Sequence, residues 1–473
     1  MEVTKSPWLA ELNRTRKVDI LTGDIATDVI IVGGGISGIV TAYYILHNTK
    51  YRVQILEATQ VAHGATGHNA GQLATYFERP FFELAQDMGI QKAEEGKEAV
   101  ESAWELLDEI QRTAKLQTPI WTFTGWAGIR GLDELSVRLK NRRYREAAGT
   151  PQQPVFVAKE AEYVSRIPAV YAGLYTLLPQ DDILALLETN NREFTAALPS
   201  RKGCMNSALF TEELAGFLLA RFPERFSVAE FAPVKRVVLK QDHALAVIGS
   251  HVVSGRYVVL CTNGFEGFTI VNTIGPDINT SFHHAVRGIV GFMAGYTDAL
   301  NLPPTAISFL PKLMPGSLND AVALEPYYYL TRRPFELNGQ RKNLICVGGP
   351  ERMLPSSAPY GLQDLYPETA QLDIDRFLHK NYRFVPDAGI TYSFRWHGLM
   401  GYTPTGVRLA GFEPCNKHLL YNLGCNGVGI LPSMYGGFRI GKLLAGEKLP
   451  SSIFDPQDIR MGYYKKRHKV PQV

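Results

Sequence analysis

Asp28-Val-Ile-Ile-Val-Gly33-Gly34-Gly35-Ile36-Ser37-Gly38, an apolar run on to Lys50, and then Arg52-Val-Gln-Ile-Leu-Glu57 decide how this chain is read. Apolar residues in succession running into glycines form the pattern of a buried parallel strand entering a tight turn. Gly33 permits the turn, Gly35 lets the backbone approach a pyrophosphate, and Gly38 lets the next helix pack closely on the strand. That helix opens at Ile36 and Ser37, with its free N–H groups and positive dipole end directed at phosphates. A second strand delivers Glu57, followed by Ala58, nineteen residues after Gly38. There a carboxylate accepts hydrogen bonds from ribose hydroxyls. Strand, helix and acid together predict a dinucleotide site rather than an ordinary glycine turn. Glu57 would repel a 2′-phosphate, which disfavours NADP and leaves FAD and NAD open.

With 473 residues the chain is too long for one core and predicts at least two domains. Hydrophobic residues make up 45% and charged residues 20%, as in ordinary globular proteins, and a net charge of +3 leaves no nucleic-acid footprint. The basic run Arg460, Lys465, Lys466, Arg467 and Lys469 reads as a solvated terminus. Cys204, Cys261, Cys346, Cys415 and Cys425 are scattered, so neither a disulfide framework nor a zinc site is expected. Charges near the start leave no signal-peptide core, and the apolar run Val29–Leu46 contains the glycine turn, so no membrane span is expected. The expected location is the cytoplasm.

Further along, Gly64-Ala65-Thr66-Gly67-His68-Asn69-Ala70-Gly71-Gln72-Leu73 is a loop of small residues, suited to lie close against a cofactor. Helical spacing runs from Phe81 to about Leu116, where Trp104, Leu107 and Ile110 share a face, and again over 133–147, 182–196, 211–222 and 369–380. Strands are expected from Val234, over 244–248, 257–261, 288–296, 327–332, 343–348, 389–395 and 419–422. A second glycine turn, Gly424-Cys-Asn426-Gly427-Val428-Gly429, leads through Ile430 into a last helix opened by Pro432 and Ser433. Residues 1–27 are expected as a surface arm. The nucleotide signals sit in 1–85, 200–287 and 389–473, and the pieces 86–199 and 288–388 differ in texture. This predicts an α/β, Rossmann-like cofactor domain, and an α+β substrate domain built on an antiparallel sheet, both discontinuous in sequence.

Several stretches in fixed order resemble the D-amino-acid-oxidase-type FAD oxidoreductases, which include gamma-glutamylputrescine, glycine and sarcosine oxidases. They are the Asp28–Glu57 unit, Gly64–Leu73, Cys261-Thr262-Asn263-Gly264, Arg395-Trp396-His397-Gly398 with Tyr402-Thr-Pro404-Thr-Gly406, and the turn at 424–429. The resemblance covers about residues 25–445. It implies FAD and oxidation of the C–N bond of an amine or amino acid to an imine. Where the family has arginine in the second stretch, this chain has His68. Dimethylglycine- and sarcosine-dehydrogenase-like relatives carry a histidine there that is covalently bound to flavin, so His68 predicts either an 8α-histidyl link or a simple hydrogen bond. Met400 stands where cysteinyl-flavin relatives have cysteine, which argues against that link.

Hydride loss from an amine needs the nitrogen neutral, which a partly apolar pocket favours. Trp396 and the run Tyr327-Tyr328-Tyr329 are candidate walls, although strand alternation puts Tyr328 on the face opposite its neighbours. Glycine-oxidase-like relatives bind a substrate carboxylate through an arginine at the end of the strand that corresponds to residues 327–333. The resemblance therefore implies that role for Arg332 or Arg333, the alternative being exposed loop charges. His283, His284 and His397 suggest no specific role. The partners expected are an amine or amino-acid substrate and oxygen or another electron acceptor. Two other readings remain: an NAD-dependent dehydrogenase, which would be colourless, and a non-catalytic FAD-binding assembly protein, which no amine would bleach.

Overall fold

The computed structural model describes residues 1–150, 152, 154–299, 302–312, 327–337, 339–354 and 360–456. The basic run from Arg460 to Lys469 lies outside them, as does the His284 side chain. Three sheets carry the architecture. In the first, Val29–Val32 is flanked by Val53–Leu56 and Tyr257–Leu260, all parallel, with Phe226–Ala229 at one side and Asn416–Leu423 then Leu409–Glu413 at the other. Val29 to Val32 are all buried, as a central parallel strand covered on both faces requires. A smaller sheet of five strands includes Arg236–Leu239, Ala244–Ile248 and His251–Gly255.

The helix Ile36–Asn48 covers the first sheet and packs on the last helix, Ile430–Leu444. Gly437 and Gly441 make this crossing close: a Cβ on Gly441 would lie 2.6 Å from the Tyr44 Cβ, and one on Gly437 3.0 Å from the Thr41 nitrogen. The final helix thereby brings the second glycine turn beside the first.

The third and largest sheet is mostly antiparallel and includes Ile120–Ile129, Ala196–Met205, Arg287–Asp298, Thr305–Phe309, Tyr328–Leu337, Gln340–Met353 and Phe394–Tyr402. Two of its strands cross the divisions that sequence texture suggests. Ala196–Met205 spans position 200, and Phe394–Tyr402 pairs with Arg287–Asp298 although it lies in a nucleotide-type stretch. The helix expected from Thr211 starts earlier, as Ser207–Arg221, because the Asn206 side chain caps it by accepting from Ala208 and Leu209 N–H. Over 182–196 the helix is only Gln180–Leu186.

The first 27 residues are more than a surface arm. Trp8 is fully buried; its Nε1 donates to the Asn69 carbonyl at 2.6 Å, and its ring fills the space a Cβ on Gly71 would need. Ser6 Oγ donates to the Gly67 carbonyl. Arg14 and Arg16 form ion pairs with Glu212 and Glu230. The arm therefore clamps the loop that carries His68.

Candidate active site

The first glycine turn closes against two other segments. Gly33 has φ +108°, and a Cβ there would lie 2.7 Å from the Cys261 carbonyl oxygen. A Cβ on Gly35 would lie 2.8 Å from Thr66 Oγ1, whose oxygen accepts the Ile36 N–H at 2.9 Å. Gly34 N–H donates to Glu57 Oε2 at 2.7 Å and Thr59 N–H to Oε1 at 2.9 Å, which fixes the carboxylate beside the turn. Burial nevertheless pushes the Glu57 pKa above the ordinary carboxyl value. Gly38 is a packing residue: a Cβ would overlap the Gly33 carbonyl.

Asn263, at φ +52°, ties three distant pieces of chain together. Its Nδ2 donates to the Leu399 carbonyl at 3.1 Å, and its Oδ1 accepts from Gly401 N–H at 3.2 Å and Cys425 N–H at 3.1 Å. Gly264 lies under this junction, its Cα facing the Met400 carbonyl. Gly398 faces the His68 carbonyl with no room for a side chain. In the second turn Gly424, Asn426 and Gly427 all have positive φ. Val428 N–H donates to the Cys425 carbonyl at 3.0 Å and Ser433 N–H to the Gly429 carbonyl at 3.0 Å, and Pro432 has no N–H, so the anion-stabilising donors in the first turn of Ile430–Leu444 are the Ile430 and Leu431 N–H groups.

These segments enclose a cavity of about 420 Å³. Of the residues expected at a cofactor, Gly33, Gly35, Ile36, Ser37, Glu57, Ala58, Gly64, Ala65, Thr66, His68, Asn69, Ala70, Gly71, Gln72, Val234, Thr262, Asn263, Gly398, Gly427, Val428, Gly429 and Ile430 line it. Leu73, Gly38 and Gly264 stand behind the lining: Leu73 is fully buried in the main core, and the two glycines are close-packing points.

The three residues expected to act on substrate are elsewhere. Tyr328 points to the far side of its strand and stacks on Phe377, with centroids 4.1 Å apart and planes 2° apart. Arg332 is 1% exposed and engaged throughout: Nη1 and Nη2 reach Glu188 at 2.6 and 2.7 Å, Nη1 also reaches Tyr382 Oη at 2.6 Å, and Nε donates to the Pro303 carbonyl. Arg333 pairs with Glu11 of the arm over the Trp8 ring. Trp396 is buried in the main core and lies cross-strand from Met293, whose own side lines the cavity. His397 is a buried structural group: Nε2 meets the Asp364 carbonyl at 2.9 Å and Nδ1 meets Tyr360 Oη at 2.8 Å. His283 pairs with Glu266 at 3.0 Å.

Instead, the cavity beyond the glycine turns is walled by Tyr76, Tyr327 and Tyr329, with Glu78 and Glu351 opening onto it. Tyr327 and Tyr329 share a strand face, with centroids 5.5 Å apart. Tyr327 Oη donates to Ser308 Oγ at 2.8 Å, which also accepts from the buried Lys202 Nζ at 2.8 Å. Burial without an acidic partner lowers the Lys202 pKa to about 7. Tyr402 Oη donates to Glu78 Oε2 at 2.9 Å, and Glu78 Oε1 lies over Gly427. Both side chains are exposed onto the cavity. The protein lining that cavity raises Glu78 to about 8, with Glu351 adding repulsion, and Glu351 to about 7. Single acids in unpatterned sequence gave no signal. Tyr327 and Tyr329 were indicated by strand alternation, which left open only the side facing the cavity.

His68 Nδ1 donates to the Gly64 carbonyl at 2.9 Å. Burial lowers its pKa to about 4, so the ring is neutral at pH 7 and Nε2 keeps its lone pair.

A strand–turn–helix cradle with a carboxylate at its edge, joined to a phenol-walled chamber, defines a flavin-type dinucleotide site. The chain belongs to the family of FAD-dependent oxidoreductases described as "DAO: FAD dependent oxidoreductase", whose model matches residues 28–443. Among curated proteins, the gamma-glutamylputrescine oxidoreductase of Escherichia coli (strain K12) is 34% identical over 92 residues, 20% of this chain. The match spans about a fifth (21%) of that relative's length. Among solved structures, an L-proline dehydrogenase from P. horikoshii superposes with a TM-score of 0.64 at 13% identity, over 91% of this chain and 97% of that one. A glycine oxidase from Geobacillus kaustophilus gives 0.62 at 14%, over 91% and 98%. At these identities the likeness is one of fold.

The residues present fit FAD. The cradle glycines occupy positions that any side chain would fill, and Thr262 Oγ1 is buried at the cavity wall without a partner among the described residues. Gly33–Gly38 would hold the pyrophosphate and Glu57 the ribose. The protein is an FAD-dependent oxidoreductase. Among the described residues there is neither a helix long and apolar enough to cross a membrane nor a cluster of metal-ligand residues.

Proposed function

We propose that this chain oxidises the C–N bond of an amine or amino acid to an imine, the electrons passing on to oxygen or another acceptor. FAD, when bound, supplies the two-electron acceptor. The substrate loses a hydride from its α-carbon and a proton from its nitrogen; water then hydrolyses the imine to a carbonyl compound and an amine or ammonia. The observation that carries this reading is the chamber of Tyr76, Tyr327, Tyr329, Glu78 and Glu351 opening onto the second glycine turn. Its aromatic walls lower the local polarity and disfavour an ammonium ion, as hydride loss requires. Glu78 Oε1, over Gly427, is placed to take the ammonium proton, and a carboxyl raised to about 8 is well matched to that transfer. Tyr402 holds the carboxylate in position through Oε2. The Ile430 and Leu431 N–H groups at the start of the last helix offset negative charge that accumulates during the reaction.

The proposed cofactor residues are those lining the cradle, with His68 either hydrogen-bonded or covalently linked. Their division between a cofactor domain and a substrate domain follows the parallel and antiparallel sheets. The test is product analysis with holoprotein, an artificial electron acceptor and a panel of primary amines, secondary amines and amino acids. Amine-dependent formation of the carbonyl product is expected. Full flavin content without carbonyl product from any member of the panel would overturn the reading.

A further inference from the structure

We infer that the substrate chamber selects a molecule with two cationic nitrogens and no carboxylate, such as a linear aliphatic diamine. The inference rests on the reading of this chamber as an amine-oxidising site.

Glu78 and Glu351 both open onto that end of the cavity. Once ionised, the two acids make it negative; the Lys202 ammonium stands behind the Tyr327–Ser308 wall, outside the lining. The cations in the cavity lining belong to the cofactor end. Lys235 follows Val234, and Arg408 is buried beneath the first helix, donating to Ser37 Oγ at 2.8 Å and to the Asn422 carbonyl and Oδ1 at 3.0 and 2.6 Å. The guanidinium groups that sequence position offers to a substrate carboxylate, Arg332 and Arg333, are already paired with Glu188 and Glu11. Among the described residues, a substrate carboxylate entering the chamber therefore meets two like charges and no available guanidinium. Like charges facing one another strongly suppress the wrong partner.

The carboxylates themselves lack counterions. Glu351 makes neither a hydrogen bond nor an ion pair among the described residues, and the one protein donor to Glu78 is the neutral Tyr402 hydroxyl. Two carboxylates facing one cavity without a cation repel each other, and an incoming ammonium group offsets that repulsion. The phenols are an independent observation pointing the same way. The Tyr327 and Tyr329 rings stand at the wall, and the Tyr329 hydroxyl has no hydrogen-bond partner among the described residues. Gly348 makes this possible, because a Cβ there would lie 2.5 Å from the Tyr329 ring. Aromatic faces attract alkylammonium ions, and a phenol oxygen accepts from them.

The two acids have separate tasks. Glu78, over Gly427, is nearer the second glycine turn and receives the proton of the nitrogen to be oxidised. Glu351 pairs across the sheet with Gly291, another lining residue, and holds the distal ammonium, which stays charged. One amine is thus neutralised and the other retained as the handle.

The test uses holoenzyme under anaerobic conditions with three probes of equal length: butane-1,4-diamine, butylamine and 4-aminobutyrate. Flavin reduction per unit concentration should favour the diamine over 4-aminobutyrate by about 100-fold or more, with butylamine between them. Glu351→Gln should collapse the diamine-to-butylamine ratio by about 10-fold or more at matched flavin content. Equal use of 4-aminobutyrate and diamine, or a ratio unchanged in Glu351→Gln, overturns the inference. A separate arm titrates the flavin spectrum with 1,4-bis(trimethylammonio)butane, which has no N–H and reports binding alone. Binding weakened in Glu351→Gln and in Glu78→Gln supports a dication site; absence of binding overturns it. If no amine reduces the flavin, the oxidation reading fails, and this second arm still decides the inference.

Discussion

Replacing Arg332 with methionine should damage stability and leave substrate recognition intact. Its position at the end of a sheet strand suggests a carboxylate-binding arginine, but the structure makes it half of a buried ion pair. The guanidinium is 1% exposed and makes four hydrogen bonds, two of them to Glu188. Removing one partner of such a pair leaves the other unpaired and costs about 3–5 kcal/mol. Replacing both with apolar residues removes the stranded charge, so Arg332→Met with Glu188→Met should recover much of that loss. The assay is denaturant unfolding of wild type, both single variants and the double variant, alongside KM and kcat per bound flavin. The expected result is a lower unfolding midpoint for Arg332→Met, partial recovery in the double variant, and KM within about threefold of wild type. A KM raised by 100-fold with an unchanged midpoint would return Arg332 to the substrate and refute the placement.

Three further outcomes follow from the site. Gly38→Ala would push a methyl against the Gly33 carbonyl; overpacking of about 1–3 kcal/mol predicts roughly 10- to 100-fold weaker FAD retention, read by dialysis and absorbance. Acid precipitation decides the His68 question: flavin colour in the pellet shows a covalent link, and colour wholly in the supernatant shows hydrogen bonding alone. Binding of the bis-quaternary dication should strengthen as pH rises through 7 to 8, because Glu351 and Glu78 ionise near about 7 and about 8. Tyr76, Tyr327, Tyr329, Tyr402 and Cys425 are pushed upward by burial and His68 down to about 4, so they stay neutral across that window. Lys202, behind Tyr327 and lowered to about 7, instead loses its positive charge within it and adds to the rise. Glu351→Gln should reduce the lower step to the part that Lys202 contributes, and a pH-independent affinity would contradict the assignment.

The cradle was legible in sequence because its parts are local. Gly33, Gly35, Gly38 and Glu57 lie within one strand–helix–strand unit, and the glycines answer contacts within that unit (Gly38), with the end of the neighbouring strand (Gly33) or with Thr66 in the loop that follows (Gly35). The chamber was less legible because its residues come from distant segments. Alternation correctly separated Tyr328 from Tyr327 and Tyr329, but Tyr328 faces the core because Phe377, on the helix Glu368–Asn381, stacks on it there. Glu78 follows the second cofactor loop without any periodic pattern, and Glu351 becomes its neighbour only when the large sheet forms. Trp396 and Arg332 have chemistry suited to a pocket, yet sheet packing turns the first into the core and Glu188 captures the second. The arm at 1–27 carried no pattern that would reveal Trp8 wedged against Gly71.

The central claim is that an amine donates its electrons to flavin in this chamber, and anaerobic reduction tests it most directly. Holoprotein mixed with amines without oxygen should lose its flavin absorbance, with one imine-derived carbonyl formed per flavin reduced. Full flavin occupancy with no loss of absorbance for any amine or amino acid tried would contradict the account.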